Sequence, residues 1–394
     1  MNSKVILSSL LAVFLLGSCT TQNAIRLVTS RNPAQAIQVI AESRAKSYLY
    51  DPELVLADIR RARTQYKRLL DTLRGKSSEK WGTKEAEKLP TRTRYVKYTE
   101  DYRNRVTVDF DSGNILIEQL DEDKAKWKLR NAIVTALLTP GDPRAVDLFS
   151  DKKVELNGTP YLQGMVADQN GRLIENRDNA MDYANYLVNF ELRTKNIDAN
   201  GKNRQVDYVE FAMVNTHVEK GALKYAPQVR KYAETTGVSR SLIFAVMKTE
   251  SGFNPFAVSS APAYGLMQLV PSSGGRDAYR KVTGINEPPS KEYLFDADNN
   301  IELGSTYLNI LLNDSTLQDI ANPLSREYCA IAAYNTGPRN VLRTFSGNPE
   351  EAIRAINALQ PAEVYNTLRR RLPYAETRNY IVKVVSAQKR FATL

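Results

Sequence analysis

"FAVMKTESGFNPFAVSSAPAYGLMQLVPSSGG", residues 244–275, decides the architecture of the second half of the chain. Just upstream, Ser239 is a good N-cap, and Leu242, Ile243, Ala245, Val246 and Met247 make the segment apolar nearly all round, which predicts a buried helix. That helix delivers a carboxylate, Glu250, immediately before Ser251-Gly252 and Asn254-Pro255 break it. Desolvation disfavours the ionised form, the negative end of the helix dipole repels it, and no basic residue follows within a turn. Lys248, two residues back, should point elsewhere. All of this raises the pKa of Glu250 and keeps a proton available near neutral pH, as a general acid requires. The plainer alternative is a helix-end residue paired with an arginine from elsewhere in the domain.

Outward from this stretch, the chain of 394 residues is 42% hydrophobic and 25% charged, an ordinary globular balance with length for two or three domains. It opens "MNSKVILSSLLAVFLLGSCTTQ": basic Lys4, an apolar run from Val5 to Leu16 too short for an ordinary spanning helix, then small residues before a cysteine. That is a secretory signal, residues 1–18. Of the two cysteines, Cys19 closes this segment and Cys329 is left without a partner. In "SREYCAIAAYN" Cys329 reads as a small core residue. His217 is the single histidine, which argues against histidine-built zinc sites and a Ser-His-Asp site in its usual form. A net charge of +10 fits a cell-wall glycan carrying peptide carboxylates, or anionic lipid head groups, and equally a dispersed solvated surface. For an exported chain, nucleic acid is not the expected partner.

The expected fold class is α+β: an α+β N-terminal domain at 32–217, after a tether at 19–31, then a mainly α domain at 218–394. Val55, Ile59, Ala62, Tyr66, Leu69 and Leu73 recur at helical spacing and read as one core-facing stripe. A basic, turn-rich patch follows, "RGKSSEKWGTKEAEKLPTRTRY". "RVTVDFDSGNILIEQL" alternates on both sides of Asp111-Ser112-Gly113 and predicts a hairpin. A helix is expected from Lys124 to Leu138, and two more strands in "FELRTKNI" and "RQVDYVEFAMV", with His217 in a strand-like segment. "DADNNIE", Asp296 to Glu302, has the alternate acidic spacing of a calcium loop, but Ile301 stands where glycine is needed and Tyr307 where the bidentate glutamate is. Capping of the next helix by Asp298 is the better account.

"ESGFNPFAVSSAPAYGLMQLVPSS" resembles the first motif of the soluble-lytic-transglycosylase domain, "AAYNTGPRNVL" its second and "LPYAETRNYIVKV" its third, in the family's order. The succession of anchor, α+β domain and catalytic domain is similar to that of membrane-bound lytic murein transglycosylases. The resemblance implies a lysozyme-like catalytic domain with Glu250 as catalytic acid. It implies that Ser259 orients the glutamate or the substrate N-acetyl group, that Gln268 donates hydrogen bonds to sugar, and that Met267 gives a soft apolar floor. Tyr334 and Asn335 would lie beside the scissile bond, Tyr380 would be the tyrosine of the third motif, and Glu376 would bind stem peptide or only pair locally. The family often has glycine where Pro262 and Arg339 stand, which bears on subsite preference. Leu16-Gly17-Ser18-Cys19 resembles a bacterial lipobox, implying a lipid on Cys19, and Thr20 favours the outer membrane, facing the periplasm.

Most glycosidases use two carboxylates, ~5–5.5 Å apart for retention or ~6.5–9.5 Å for inversion. After Glu250 the next acidic residue is Asp277, beyond the whole loop. What the resemblance implies is cleavage of the MurNAc-GlcNAc β-1,4 bond of peptidoglycan without water. The muramic acetamido oxygen stabilises C1, its C6 hydroxyl attacks, and Glu250 serves as acid and then base, with no metal or cofactor. The rivals are a hydrolytic goose-type muramidase, which needs a second carboxylate, and a non-catalytic peptidoglycan-binding lipoprotein. The N-terminal domain offers no chemistry of its own: setting a distance from the membrane, binding glycan and contacting a cell-wall or division complex all stay open.

Overall fold

The computed structural model describes residues 52–85, 88–120, 126–259, 263–313 and 315–394. The signal, the tether, Cys19 and Pro262 lie outside the described residues. Helix α1 (Pro52–Trp81) leads to three strands, β1 (Arg94–Thr99), β2 (Asn104–Asp109) and β3 (Asn114–Leu120). Helices α2 (Lys126–Leu138) and α3 (Arg177–Tyr186) precede β4 (Arg193–Ala199) and β5 (Lys202–Ala212). The five strands form one antiparallel sheet in the order β1-β2-β3-β5-β4. From α4 (His217–Lys224) onward the described elements are helical, so the class is α+β with the sheet confined to the first part.

The two expected hairpins form for the expected reasons. Asp109 Oδ1 accepts the amides of Asp111 and Ser112, and Gly113 takes the left-handed turn position at φ 74°. In the second, Asn200 and Gly201 are both left-handed, the pair a two-residue turn requires. Alternation then splits the sheet into two faces. One buries Tyr95, Val108, Phe110, Ile115 and Val209 beneath α2 and α3; the other buries Val96, Tyr98, Leu120 and Val206 with Leu73 and Trp81 of α1.

Three readings of this region are corrected. The segment read as turn-rich is helical through Trp81, and it contains the start of β1. Trp81 is wholly buried, donating to the Tyr102 carbonyl at 2.7 Å with the Arg105 guanidinium 4.0 Å above its ring, and this tertiary anchor carries the helix through Gly75 and two serines. Within α1, Leu69 is exposed, because the buried stripe runs Tyr66, Leu73, Ser77, Trp81 and passes it by. His217 opens α4 instead of ending a strand; its Nδ1 lies 3.1 Å from the Val214 carbonyl.

Helices α5 (Ala226–Thr236), α6 (Arg240–Ser251), α7 (Gly274–Thr283), α8 (Lys291–Phe295), α9 (Ala297–Asn313) and α10 (Pro323–Thr336) build the second part with α11 (Pro338–Arg343), α12 (Pro349–Asn357), α13 (Pro361–Arg371) and α14 (Ala375–Arg390). Helix α6 is its centre: Leu242 through Met247 are buried on every face, and Ser239 Oγ accepts the Leu242 amide as the cap. Cys329 is buried in the same core, and desolvation pushes its thiol up to about 12, so it behaves as a small apolar group. The cap of α9 is Asp296, whose Oδ1 accepts the Asp298 and Asn299 amides; Asp298 instead accepts from the Tyr232 hydroxyl, correcting the cap by two residues.

Candidate active site

Glu250 occupies the last turn of α6 and is 4% exposed. Gly252 ends the helix at φ 62°, its amide returning to the Lys248 carbonyl, and a Cβ there would lie 3.2 Å from Phe110 Cβ of the sheet domain. Ser251 Oγ donates to the Leu266 carbonyl at 2.8 Å and accepts the Phe253 amide at 3.2 Å, tying the helix end to both arms of the loop that follows. Lys248 points away and pairs with Asp111 at 2.7 Å.

Burial pushes the Glu250 carboxyl up from 4.5 to about 7. The Arg92 guanidinium and the Tyr380 hydroxyl oppose that rise, and the Glu376 carboxylate adds to it. Arg92 Nη1 is 3.4 Å from Glu250 Oε2, and Arg92 Nη2 is 3.4 Å from Glu376 Oε1. The Tyr380 hydroxyl is buried without a well-formed partner and neighbours the Glu250 carboxyl, and burial followed by that carboxyl pushes its own pKa well up. Tyr334, on α10, is raised by the same two causes; its hydroxyl donates to the Met267 carbonyl at 2.9 Å. Thr377 Oγ1 donates to Asn335 Oδ1 at 2.7 Å, which links α10 to α14 beside Tyr380.

The structure therefore brings Glu250, Tyr334 and Tyr380 into one electrostatic neighbourhood, with Glu376 exposed at its rim. Ser259 is half-buried at the end of the described loop. Two expected sugar contacts are corrected. Met267 is fully buried, its Sδ filling the space that a Cβ on Gly304 would take, so it supports the loop from beneath and presents no surface to a sugar. Gln268 Nε2 donates to the Gly265 and Ala257 carbonyls at 2.9 and 3.3 Å, which uses the donors expected for a sugar; its Oε1 is unpartnered among the described residues. Gln268 and Phe253 are the non-glycine residues near the site with positive φ, 47° and 65°.

Beneath this loop, Asn300 is wholly buried and uses its entire amide: Oδ1 accepts the Met267 amide at 2.8 Å, and Nδ2 donates to the Tyr264 and Leu294 carbonyls at 2.9 and 2.8 Å. Asn300→Ala removes all three bonds and leaves the Met267 amide and the Leu294 carbonyl without them, at about 1–3 kcal/mol for each group left buried, while the Tyr264 carbonyl keeps the Leu269 amide at 3.1 Å. We expect it to lower stability by about 3 kcal/mol or more and to reduce turnover with it; a denaturant titration that matches the parent protein would show that the loop is held by other contacts.

The comparisons divide the chain where its architecture changes. Residues 59–224 match the family model described as membrane-bound lytic murein transglycosylase C, N-terminal domain, and 227–357 match the transglycosylase SLT domain. Membrane-bound lytic murein transglycosylase C of Histophilus somni (strain 2336) is 41% identical over 329 residues, covering 82% of this chain and 88% of that protein. The Haemophilus influenzae (strain PittEE) protein of that name is 41% identical over 326 residues, covering 82% and 89%. The chain belongs to the membrane-bound lytic murein transglycosylase C family. Two solved structures align with less than half of it. An inactive variant of the lytic transglycosylase Slt of Pseudomonas aeruginosa has 29% identity, a TM-score of 0.32 and coverage of 42% of this chain and 23% of that one. The soluble lytic transglycosylase of 70 kDa with bulgecin A has 24% identity, a TM-score of 0.33 and coverage of 45% and 26%.

In this member of the transglycosylase C family, sequence reasoning missed Arg92. It stands 158 residues before Glu250, in the segment between α1 and β1 that reads only as basic and turn-rich. No local signal marks one arginine among several there. Arg339, the other departure from the family motif, is exposed at the start of α11.

Proposed function

We propose that the chain is a peptidoglycan lytic transglycosylase that uses Glu250 as its single acid and base. One observation carries this: a buried carboxyl held at about 7 that shares the Arg92 guanidinium with a single neighbouring carboxylate, the exposed Glu376. Near neutral pH such a group is part protonated, so it can give a proton to the glycosidic oxygen and take one back. The proton leaves Glu250 for the bridging oxygen as the C1–O bond breaks; the muramic C6 hydroxyl then bonds to C1 and returns its proton to the carboxylate. The product is a 1,6-anhydro-MurNAc end, and no water is consumed. Intramolecular attack needs no second base, which agrees with Glu376 lying exposed at the rim.

In this reading Ser259, Tyr334, Asn335, Glu376 and Tyr380 border the glycan, within a catalytic domain at 218–394 carried by the domain at 32–217. A lipid on Cys19 would hold the enzyme to the outer membrane, facing the periplasm. Among the described residues no helix is long and apolar enough to cross a membrane.

The test is mass spectrometry of muropeptides released from sacculi by the full-length protein in detergent. Products one water lighter than hydrolytic muropeptides, and resistant to borohydride, are expected. Reducing products would instead make the enzyme a muramidase, with Glu376 the first carboxylate to test as base. Wall binding without any product would leave a tether.

A further inference from the structure

The segment between α1 and β1 forms one wall of the site through its backbone. The Arg92 carbonyl accepts Asn254 Nδ2 at 3.0 Å, and the Thr91 carbonyl accepts the Val258 amide at 3.4 Å. Between these two bonds, Phe256 enters the sheet-domain core against Tyr95 and Tyr161, at ring distances of 4.9 and 5.4 Å. The backbone of Arg92 is thus fixed to the loop that follows Glu250. From that base its side chain reaches the ends of two helices, one Nη at Glu250 on α6 and the other at Glu376 on α14. Among the described residues, the charged and titratable groups around Glu250 are Arg92 from the sheet domain, Glu376 and Tyr380 from α14, and Tyr334 from α10; Lys248, on its own helix, is committed to Asp111. Arg92 is the only cation in that set.

We propose that Arg92 is a positioning residue for the Glu250 carboxyl, held in place by Glu376, so that the N-terminal domain completes the active site of the catalytic domain. The inference rests on the reading of Glu250 as the acid. The geometry suits that role better than a tight pair would. A bidentate contact at 2.7–2.9 Å would hold the carboxyl ionised and deprive it of its proton. One oxygen contacted at 3.4 Å, by a guanidinium shared with a second carboxylate and 39% exposed, orients the group and still lets it protonate. When Glu250 has released its proton to the leaving oxygen, the same cation already faces the new carboxylate. Arg92 itself moves no proton.

An arginine that only braced the fold would lower turnover no further than the loss of stability accounts for, whereas one that sets the carboxyl's proton and position moves the titration of Glu250 and kcat together, which sets the experiment. In full-length protein, Arg92→Gln removes the charge, Arg92→Lys keeps it and Glu376→Gln frees the guanidinium from its second partner. A cation within ~4–6 Å lowers a carboxyl pKa by about 1–3 units, and its partial exposure puts the expected effect near the lower end. Arg92→Gln should therefore move the alkaline limb of kcat/KM upward by about one pH unit. It should also lower kcat by about 10–100-fold with KM changed less than about threefold, as a misplaced acid does. Arg92→Lys should restore the limb and part of kcat, and Glu376→Gln should move the limb the opposite way.

Carboxyl ¹³C titration of Glu250, assigned by difference from Glu250→Gln, reads the same shifts in the resting protein. An unchanged limb and midpoint in Arg92→Gln would overturn the proposal, and so would a rise in KM alone, which would make Arg92 a substrate ligand. If Arg92→Gln loses its fold by circular dichroism, the opposed shift in Glu376→Gln and the retained limb in Arg92→Lys decide the matter. Absence of anhydro product from the parent protein would sink the functional reading, while the carboxyl titration would still judge Arg92.

Discussion

Glu250→Gln is expected to reduce release of anhydro-muropeptides by a factor on the order of 10²–10⁴, the range for loss of a general acid, while binding to sacculi stays close to that of the parent protein. The same substitution should stabilise the fold at alkaline pH. The folded carboxyl titrates at about 7 against 4.5 when free in solution. Between those values the native state keeps a proton that the unfolded state has released. Stability therefore falls as pH rises from 4.5 towards 7 and stays reduced above that window. At about 1.4 kcal/mol per unit, burying this carboxyl costs about 3 kcal/mol at pH ~8. Glutamine has the same shape without the titration, so the variant should exceed the parent by up to that amount at pH ~8 and match it below pH ~4. Denaturant titrations at the two pH values measure this. Equal stability at both would mean that the carboxyl is not perturbed and would remove the ground for calling it an acid; retained cleavage would remove the assignment itself.

The position of Glu250 was legible in the sequence. Each signal that places it is local: the Ser239 cap, the apolar run from Leu242 to Met247, and Gly252 supplying the left-handed stop. Hairpin turns at Gly113 and Asn200-Gly201 were readable for the same reason. Features decided by distant partners were not. Trp81 carries α1 through a stretch with turn composition because Tyr102 and Arg105 meet it across the sheet. The family motif implied a groove position for Met267, but Gly304 on α9 leaves it a slot in the core. Asn300 reads as a polar residue near a helix start, and only the folded chain shows that it ties together three backbone groups beneath the loop. Arg92 is the extreme case, since its meaning comes wholly from how one domain seats on the other. The expectation that Glu250 either keeps a proton near neutral pH or pairs with an arginine of its own domain posed as alternatives two features that occur together, with the arginine supplied by the other domain.

Phe256→Ala should separate the N-terminal domain from the catalytic loop. The residue lies in the catalytic motif, six positions after Glu250, yet it belongs to the sheet-domain core, fully buried with Tyr95 and Tyr161 against it. Truncating a buried phenylalanine costs about 3–5 kcal/mol through lost transfer energy and the cavity left behind. Here the cavity opens at the contact that fixes the Arg92 backbone, so the loss should appear in turnover as well as in stability. Activity on soluble glycan fragments should fall as far as activity on intact sacculi, measured well below the melting temperature. A loss confined to sacculi would mean that the domain delivers the enzyme to its substrate and contributes nothing at the catalytic centre. A double-mutant cycle with Arg92→Gln sharpens the distinction, because groups that act through one contact couple by about 0.5–3 kcal/mol and independent ones add. Coupling in turnover would place the docking of the two domains within the catalytic machinery; additivity would reduce Phe256 to packing.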